Sequence, residues 1–324
     1  MLSFNEYLEI VNEAVANIEY PTKPRGLYEP ISYTMSLGGK RVRPSLVLMA
    51  CHAFGGDLER AVSPAVGLEI YHNFTLLHDD VMDKADIRRG KPTVHVKWND
   101  NTAILSGDAM LTMATQYIAK APVEVMHAVM ELYNKTAMEI YEGQQYDMDF
   151  ECRMNVAADE YLEMIRLKTS VLLGCACKMG AIIGGSSADD SERMYRFGEM
   201  IGLAFQLQDD LLDVYGDEKT FGKAIGGDIM NNKKTFMLIK ALELAEGETY
   251  DSLLKWINAR NPDRKEKVEA VTEIYTRTGV RSVVEQLICE YTTNALRLLE
   301  DVNMKDECKH AFRSFADMLM NRRS

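Results

Sequence analysis

An all-α protein, one large bundle of about ten or more helices, is what the sequence predicts, and three observations predict it. Twenty methionines in 324 residues, with abundant Leu, Ala and Glu, favour helix. Prolines, the strongest helix breakers, lie early, at Pro21, Pro24, Pro30, Pro44, Pro64, Pro92 and Pro122, with only Pro262 late. Apolar residues recur at helical spacing along segment after segment. No Ser/Gly-rich linker or low-complexity tract divides the chain, so a single domain over residues 1–324 is expected.

Composition excludes several classes of function. A net charge of −12 argues against nucleic acid as a partner. Cys51, Cys152, Cys175, Cys177, Cys289 and Cys308 show no Cys-x-x-Cys spacing and no His pairing, which argues against zinc and for reduced thiols in a cytoplasm. Met1 to Glu9 carries acidic residues and lacks the basic start and apolar core of a secretory signal. No run approaches about 18 uninterrupted apolar residues, so no membrane span is expected.

The elements follow in order. Leu8, Val11, Val15 and Ile18 set a first amphipathic helix over Phe4 to Ile18, ended by the Pro-rich stretch Pro21 to Pro30. Ile31 to Ser36 reads as a short helix stopped by Gly38-Gly39. The segment Gly38-Gly39-Lys40-Arg41-Val42-Arg43-Pro44 then concentrates three cations beside two glycines, an anion-binding composition. Ser45 to Phe54 is helical, and a long helix runs from about Leu58 through Met82. Asp86 to Thr93, with Arg88-Arg89-Gly90-Lys91-Pro92, reads as a basic loop. Further helices are expected over Asn101 to Lys120, Val123 to Asp149, Tyr161 to Gly184 (carrying Lys168-Thr169) and Ser191 to Val214. A glycine-punctuated loop, Gly222 to Asp228, leads to Asn231-Asn232-Lys233-Lys234-Thr235 at the mouth of the next helix. The remainder is helix broken near Gly247, Asn261-Pro262 and Gly279.

Two stretches carry the chemistry. Asp79-Asp80-Val81-Met82-Asp83 and Asp209-Asp210-Leu211-Leu212-Asp213 share the form Asp-Asp-x-x-Asp, and both stand in apolar runs. On a helix the first and last Asp of each share one face, about one turn apart. Carboxylates so close raise one another's pKa unless a cation neutralises them. Their hard oxygens suit Mg²⁺, which keeps several waters and is shared with substrate phosphates. On facing helices, two such clusters would hold a diphosphate. His72, two turns before Asp79, lies roughly on its face, and Lys168 in its apolar run calls for an anionic partner.

These motifs, in this order, resemble the trans-type polyprenyl synthases, the isoprenyl diphosphate synthases. The resemblance rests on Gly-Gly-Lys-Arg-x-Arg-Pro, the two aspartate motifs, Arg-Arg-Gly-x-Pro-Thr and the Lys-Thr pair, and it covers nearly the whole chain. It implies the isoprenoid synthase fold, helices around a central cavity, as a homodimer. Lys40, Arg43, His72 and Arg89 then match the site for the diphosphate of isopentenyl diphosphate. Asp79, Asp80 and Asp83 match a first Mg²⁺ cluster, and Asp209, Asp210 and Asp213 a second. Arg88, Lys168, Thr169, Gln206, Lys223 and Lys233 match contacts to an allylic diphosphate (dimethylallyl, geranyl or farnesyl). Ala224 stands where the family often has Pro, and Asn232 where it often has Gly.

The resemblance also implies the reaction. The allylic carbon–oxygen bond ionises, the double bond of isopentenyl diphosphate attacks the cation, and a proton leaves to the departed diphosphate. Chain length is set along the helix before Asp79. There Phe74 lies five residues back, about 7.5 Å along the axis, with Tyr71 deeper and the small Thr75 nearer. An aromatic Phe74 and no insertion in the first motif resemble the geranylgeranyl type, with the farnesyl type as the alternative. A class I terpene cyclase would normally have a second motif rich in Asn, Ser and Glu and would not need Gly38 to Arg43. A non-catalytic partner subunit would have lost ligands that are all present here.

Overall fold

A computed structural model describes residues 1–153, 155–216 and 225–320. Helix dominates it. Among the described residues the only sheet is a two-stranded antiparallel hairpin, Ile87–Arg88 with Lys91–Pro92. None of these helices is long and apolar enough to cross a membrane, and all six cysteines are free thiols. The chain divides into two compact units. One comprises Met1–Asn134, Cys175–Met194 and Asn303–Ala311, the other Lys135–Gly174, Tyr195–Val302 and Phe312–Ser324.

The first unit is built on the Leu58–Met82 helix, which packs most extensively against Asp100–Ile118 and then against Val42–Ala53. Side chains start these helices. Ser3 forms a capping box with Glu6 ahead of Phe4–Ala16, Asp57 accepts from the Glu59 amide, and Asn99 accepts from the Thr102 amide. The core gathers Tyr7, Ile31, Leu46, Leu48, Met49, Leu68 and Tyr71, all buried. One close approach is fixed by Gly107, where an added Cβ would stand 2.1 Å from Nε2 of His78. That ring hydrogen-bonds to the Ile104 carbonyl at 3.0 Å, so no larger residue fits there.

Prolines cut less than the sequence suggests. The second helix runs over Arg25–Ser36 instead of beginning at Ile31. Pro24 sits at its N-cap and Pro30 lies inside it, buried with Ile31, Thr34 and Met35. Proline's φ suits a helix, and burial of that face outweighs one missing amide donor.

The second unit has a core of Phe150, Tyr161, Ile165, Leu207, Leu211, Phe236, Met237, Val271, Ile274 and Val284, contributed by several helices. Here two expectations change. The helix expected as continuous over Tyr161 to Gly184 is Ala158–Ile165, a π-helical turn Arg166–Ser170, and Val171–Ile183. Glycines make room for that wider turn. An added Cβ at Gly143 would stand 2.4 Å from the Lys168 amide nitrogen, and one at Gly202 2.6 Å from Cα of Ser170. The C-terminal helices Val280–Glu300 and Asp306–Met320 are parted by a break that no glycine or proline announces. Within the first unit, the Asn303 amide donates to Asp190 at 3.1 Å, a tertiary bond that fixes one residue of this break.

Candidate active site

The Leu58–Met82 helix ends in its acidic cluster. Asp83 is its C-cap, with its amide bonded to the Asp79 carbonyl at 2.8 Å, and its last turn holds no basic residue. A helix C-terminus carries partial negative charge, so carboxylates there are disfavoured until a cation arrives. The three acids differ. Asp80 is buried and accepts from Nε of Arg88 at 2.7 Å, while Arg88 stands 3.8 Å from Asp79. Burial raises the Asp80 pKa although Arg88 opposes it. Asp79 is half-buried and Asp83 exposed.

The basic loop is a tight hairpin. Arg89 and Gly90, at φ 52° and 73°, form the left-handed pair of a two-residue turn. Thr93 closes it by donating from Oγ1 to the Ala85 carbonyl at 2.7 Å. The hairpin lays Arg88 on Asp80 and sends Arg89 to the Gly38 carbonyl, with a longer contact to Asn73 at 3.4 Å. An added Cβ at Gly39 would stand 3.0 Å from the Arg89 guanidinium, so the glycines of this segment serve that arginine.

Arg43 reaches Nε2 of His72 at 3.2 Å. Burial, then Arg43, Arg89, Arg88 and Arg41, hold His72 well below its ordinary pKa. The imidazole is therefore neutral and Nε2 accepts. Lys40 is exposed. Arg41 is withdrawn from the group of three cations. It is buried, left-handed at φ 46°, and donates to Glu69 at 2.6 Å and to the Met35 carbonyl at 3.0 Å. Asn73 joins this pair by donating to the same Glu69 oxygen at 3.0 Å. Neither Glu69 nor Asn73 belongs to any motif of the sequence described above. An acid inside an apolar helix, ten residues before Asp79, was the available signal.

The second cluster repeats the pattern of the first. Asp210 is buried, accepting from the Tyr161 hydroxyl at 2.5 Å and from Gln206 at 3.1 Å, and burial raises its pKa to about 7. Gln206 in turn accepts from Thr169 at 3.3 Å. Asp209 and Asp213 are half-buried, and Asp213 accepts from the Asp228 amide at 3.0 Å. The last turn of Ala188–Tyr215 also lacks a base.

Lys168, on the π turn, pairs with Asp147 at 2.5 Å, and Lys233 lies 3.8 Å from the same oxygen. Burial pushes the Asp147 pKa up, but Lys233 and Lys168 outweigh it and hold it below the usual range. Lys223 and Ala224 lie outside the described residues. Asn232, the other departure in this loop, is left-handed at φ 50°, a conformation Asn tolerates almost as Gly does.

Along the helix before Asp79, Tyr71 packs its ring 5.4 Å from Tyr133 and 5.6 Å from Phe74, and Phe74 lies 4.8 Å from His78. Tyr71 and Phe74 are buried, and the half-buried Thr75 donates to the His72 carbonyl. These rings make one continuous aromatic row.

No group of three or more His, Cys, Asp or Glu among the described residues converges as a ready metal site. The donor chemistry nevertheless suits Mg²⁺. Asp79, Asp83, Asp209 and Asp213 offer hard oxygens, with Asp79, Asp83 and Asp213 in or at the end of a last helical turn that favours a cation, while Asp80 and Asp210 are buried.

An all-α fold with two such acidic helix ends and arginine-rich loops is of the class that handles diphosphate esters. The family description Polyprenyl synthetase matches residues 24–275, and the chain belongs to that family, whose members transfer prenyl groups. It is 40% identical to the geranylgeranyl diphosphate synthase of Methanosarcina mazei over 87% of this chain and 85% of that one. It is 35% identical to the geranylgeranyl diphosphate synthase of Sulfolobus acidocaldarius over 99% and 98%. A crystal structure of a geranylgeranyl pyrophosphate synthase superimposes with a TM-score of 0.93, at 42% identity, over the whole of both chains. That likeness places this chain in the all-α isoprenoid synthase fold.

Proposed function

We propose that this protein condenses isopentenyl diphosphate with an allylic diphosphate, 1′ to 4, and that its product is geranylgeranyl diphosphate. The observation that carries the reading is the geometry common to both clusters. In each, the middle Asp is buried and hydrogen-bonded, while its two neighbours four residues apart stay more open. Asp79, Asp83, Asp209 and Asp213 are the residues that would hold Mg²⁺, with Asp80 and Asp210 orienting them. Mg²⁺, when bound, withdraws charge from the allylic diphosphate.

Lys40, Arg43 and Arg89 bind the diphosphate of isopentenyl diphosphate, and neutral His72 holds Arg43 by accepting its hydrogen bond. Arg88, Lys168, Thr169, Gln206 and Lys233, with Lys223, bind and orient the allylic substrate. The allylic carbon–oxygen bond breaks, a carbon–carbon bond forms, and one proton leaves to the departing diphosphate. No side chain is needed as general base. Phe74, backed by Tyr71 and Tyr133, is the floor that ends elongation. The names of the relatives above support twenty carbons. The reading also takes the chain as one domain acting as a homodimer in the cytoplasm, to which the free thiols are suited.

The test is the product distribution from purified protein, Mg²⁺, isopentenyl diphosphate and each of dimethylallyl, geranyl and farnesyl diphosphate. Extension of farnesyl diphosphate by one unit is expected. Products stopping at fifteen carbons overturn the chain-length reading, and no product with any primer overturns the function.

A further inference from the structure

Lys267 is among the most buried side chains in the protein, with 2% of its surface exposed, and it is a lysine. Its ammonium donates to Oδ1 of Asn232 at 2.7 Å and to the Met230 carbonyl at 3.3 Å. Both are neutral acceptors, and burial lowers the Lys267 pKa. Burying a cation against neutral acceptors alone is unfavourable, so the arrangement needs a compensating gain. Asn232 is itself held at both ends. Its Nδ2 donates to the Ile257 carbonyl at 3.0 Å, and its backbone is left-handed.

The Arg264–Arg277 helix, which carries Lys267, grips the same loop at two further points. Arg264 donates to the Ile225 carbonyl at 2.8 Å, and Gly226 sits so close to Val268 that an added Cβ would meet it at 2.6 Å. Between these anchors the loop is tied to Asp213 through the Asp228 amide, and the Lys233 amide donates to the Asp228 carbonyl at 2.9 Å. Lys233, next in sequence to Asn232, thus receives its position from a helix that itself contributes nothing to the proposed site.

We propose that Lys267 is a positioning residue for the allylic substrate. Acting through Asn232, it fixes the 225–235 loop so that Lys233 is presented to the diphosphate. The Asn at position 232 is then a matched part of the device: Gly would supply the left-handed backbone but no oxygen for Lys267. The proposal rests on the reading of Lys233 as a diphosphate contact, and the experiment separates the two.

Lys267→Met keeps the buried stem and removes the charge. Asn232→Gly keeps the backbone conformation and removes the acceptor. Each is expected to raise KM for the allylic diphosphate on the order of tenfold, well short of the roughly hundredfold cost of an ångström-scale misplacement. KM for isopentenyl diphosphate should stay unchanged, and the double variant should be no worse than either single one, because the two residues act as one link. Thermal unfolding of each variant accompanies the kinetics. If KM for both substrates moves together, if neither moves, or if the two effects multiply, Lys267 is structural only and the proposal fails. Lys233→Ala is the control. If it leaves the allylic KM unchanged, the diphosphate reading of the loop fails. If it raises that KM while Lys267→Met does not, the Lys267 proposal alone fails.

Discussion

At the scale of single residues, the Arg41–Glu69 pair shows how a charge that reads as a ligand becomes a peg. Three cations in four residues look alike in the sequence, yet Arg41 is buried against Glu69 at 2.6 Å while Lys40 is exposed. Removing one partner of a buried pair strands the other. Glu69→Ala should therefore cost roughly 3–5 kcal/mol in urea unfolding, whereas replacing both by apolar residues of similar volume should cost far less. His72 gives a second prediction. Its folded pKa lies well below the unfolded value near 6.5, so the unfolded chain binds the extra proton first as pH falls. The group's contribution is intact above that value and is lost as pH falls from it toward the folded pKa, at up to about 1.4 kcal/mol per pH unit. Thermal unfolding between pH 7.5 and 5 should show the wild type losing stability relative to His72→Gln. Parallel curves would mean that the ring is not held neutral.

At the scale of elements, helix existence was written in the sequence because a 3.6-residue apolar period needs no partner to be recognised. The Leu58–Met82 helix and the acidic motif that ends it are found where that period places them. The π turn at Arg166–Ser170 was not legible, since its cause lies in glycines remote in sequence. The same holds for the division of labour within each cluster. Buried Asp210 is hydrogen-bonded by Tyr161, 49 residues away, and buried Asp80 by Arg88 of a hairpin eight residues on. Asp147 lies within the helix expected over Val123 to Asp149, where nothing in the sequence pairs it with its two lysines. Gly143→Ala tests the π turn directly. Its new methyl would meet backbone at 2.4 Å, so the turn must shift, at about 1–3 kcal/mol for overpacking. KM for the allylic substrate should rise with Lys168 displaced. Gly26→Ala, in a helix with nothing within 4 Å, is the matched control and should leave KM close to wild type and stability equal or slightly raised.

At the scale of the whole molecule, the proposed function requires an acidic protein of net charge −12 to bind diphosphate anions, and the charge distribution suits it to do so. Arginines are gathered on the 38–43 segment and the 87–92 hairpin, while the carboxylates that oppose anion binding sit at helix ends that favour cations. Ligand binding should therefore be cooperative with metal. Inorganic diphosphate alone is repelled by the carboxylates, and Mg²⁺ alone lacks its phosphate oxygens. Together they should raise the unfolding temperature by more than the sum of the separate shifts, since any ligand specific to the native state stabilises it by mass action. The measurement is thermal unfolding at constant ionic strength with Mg²⁺, diphosphate, or both, on wild type and on Asp79→Asn/Asp83→Asn. In that variant the joint shift should shrink toward the sum of the separate shifts, because the oxygens that would link metal and diphosphate are gone. A joint shift as large in that variant as in wild type would show that these carboxylates do not hold the cation.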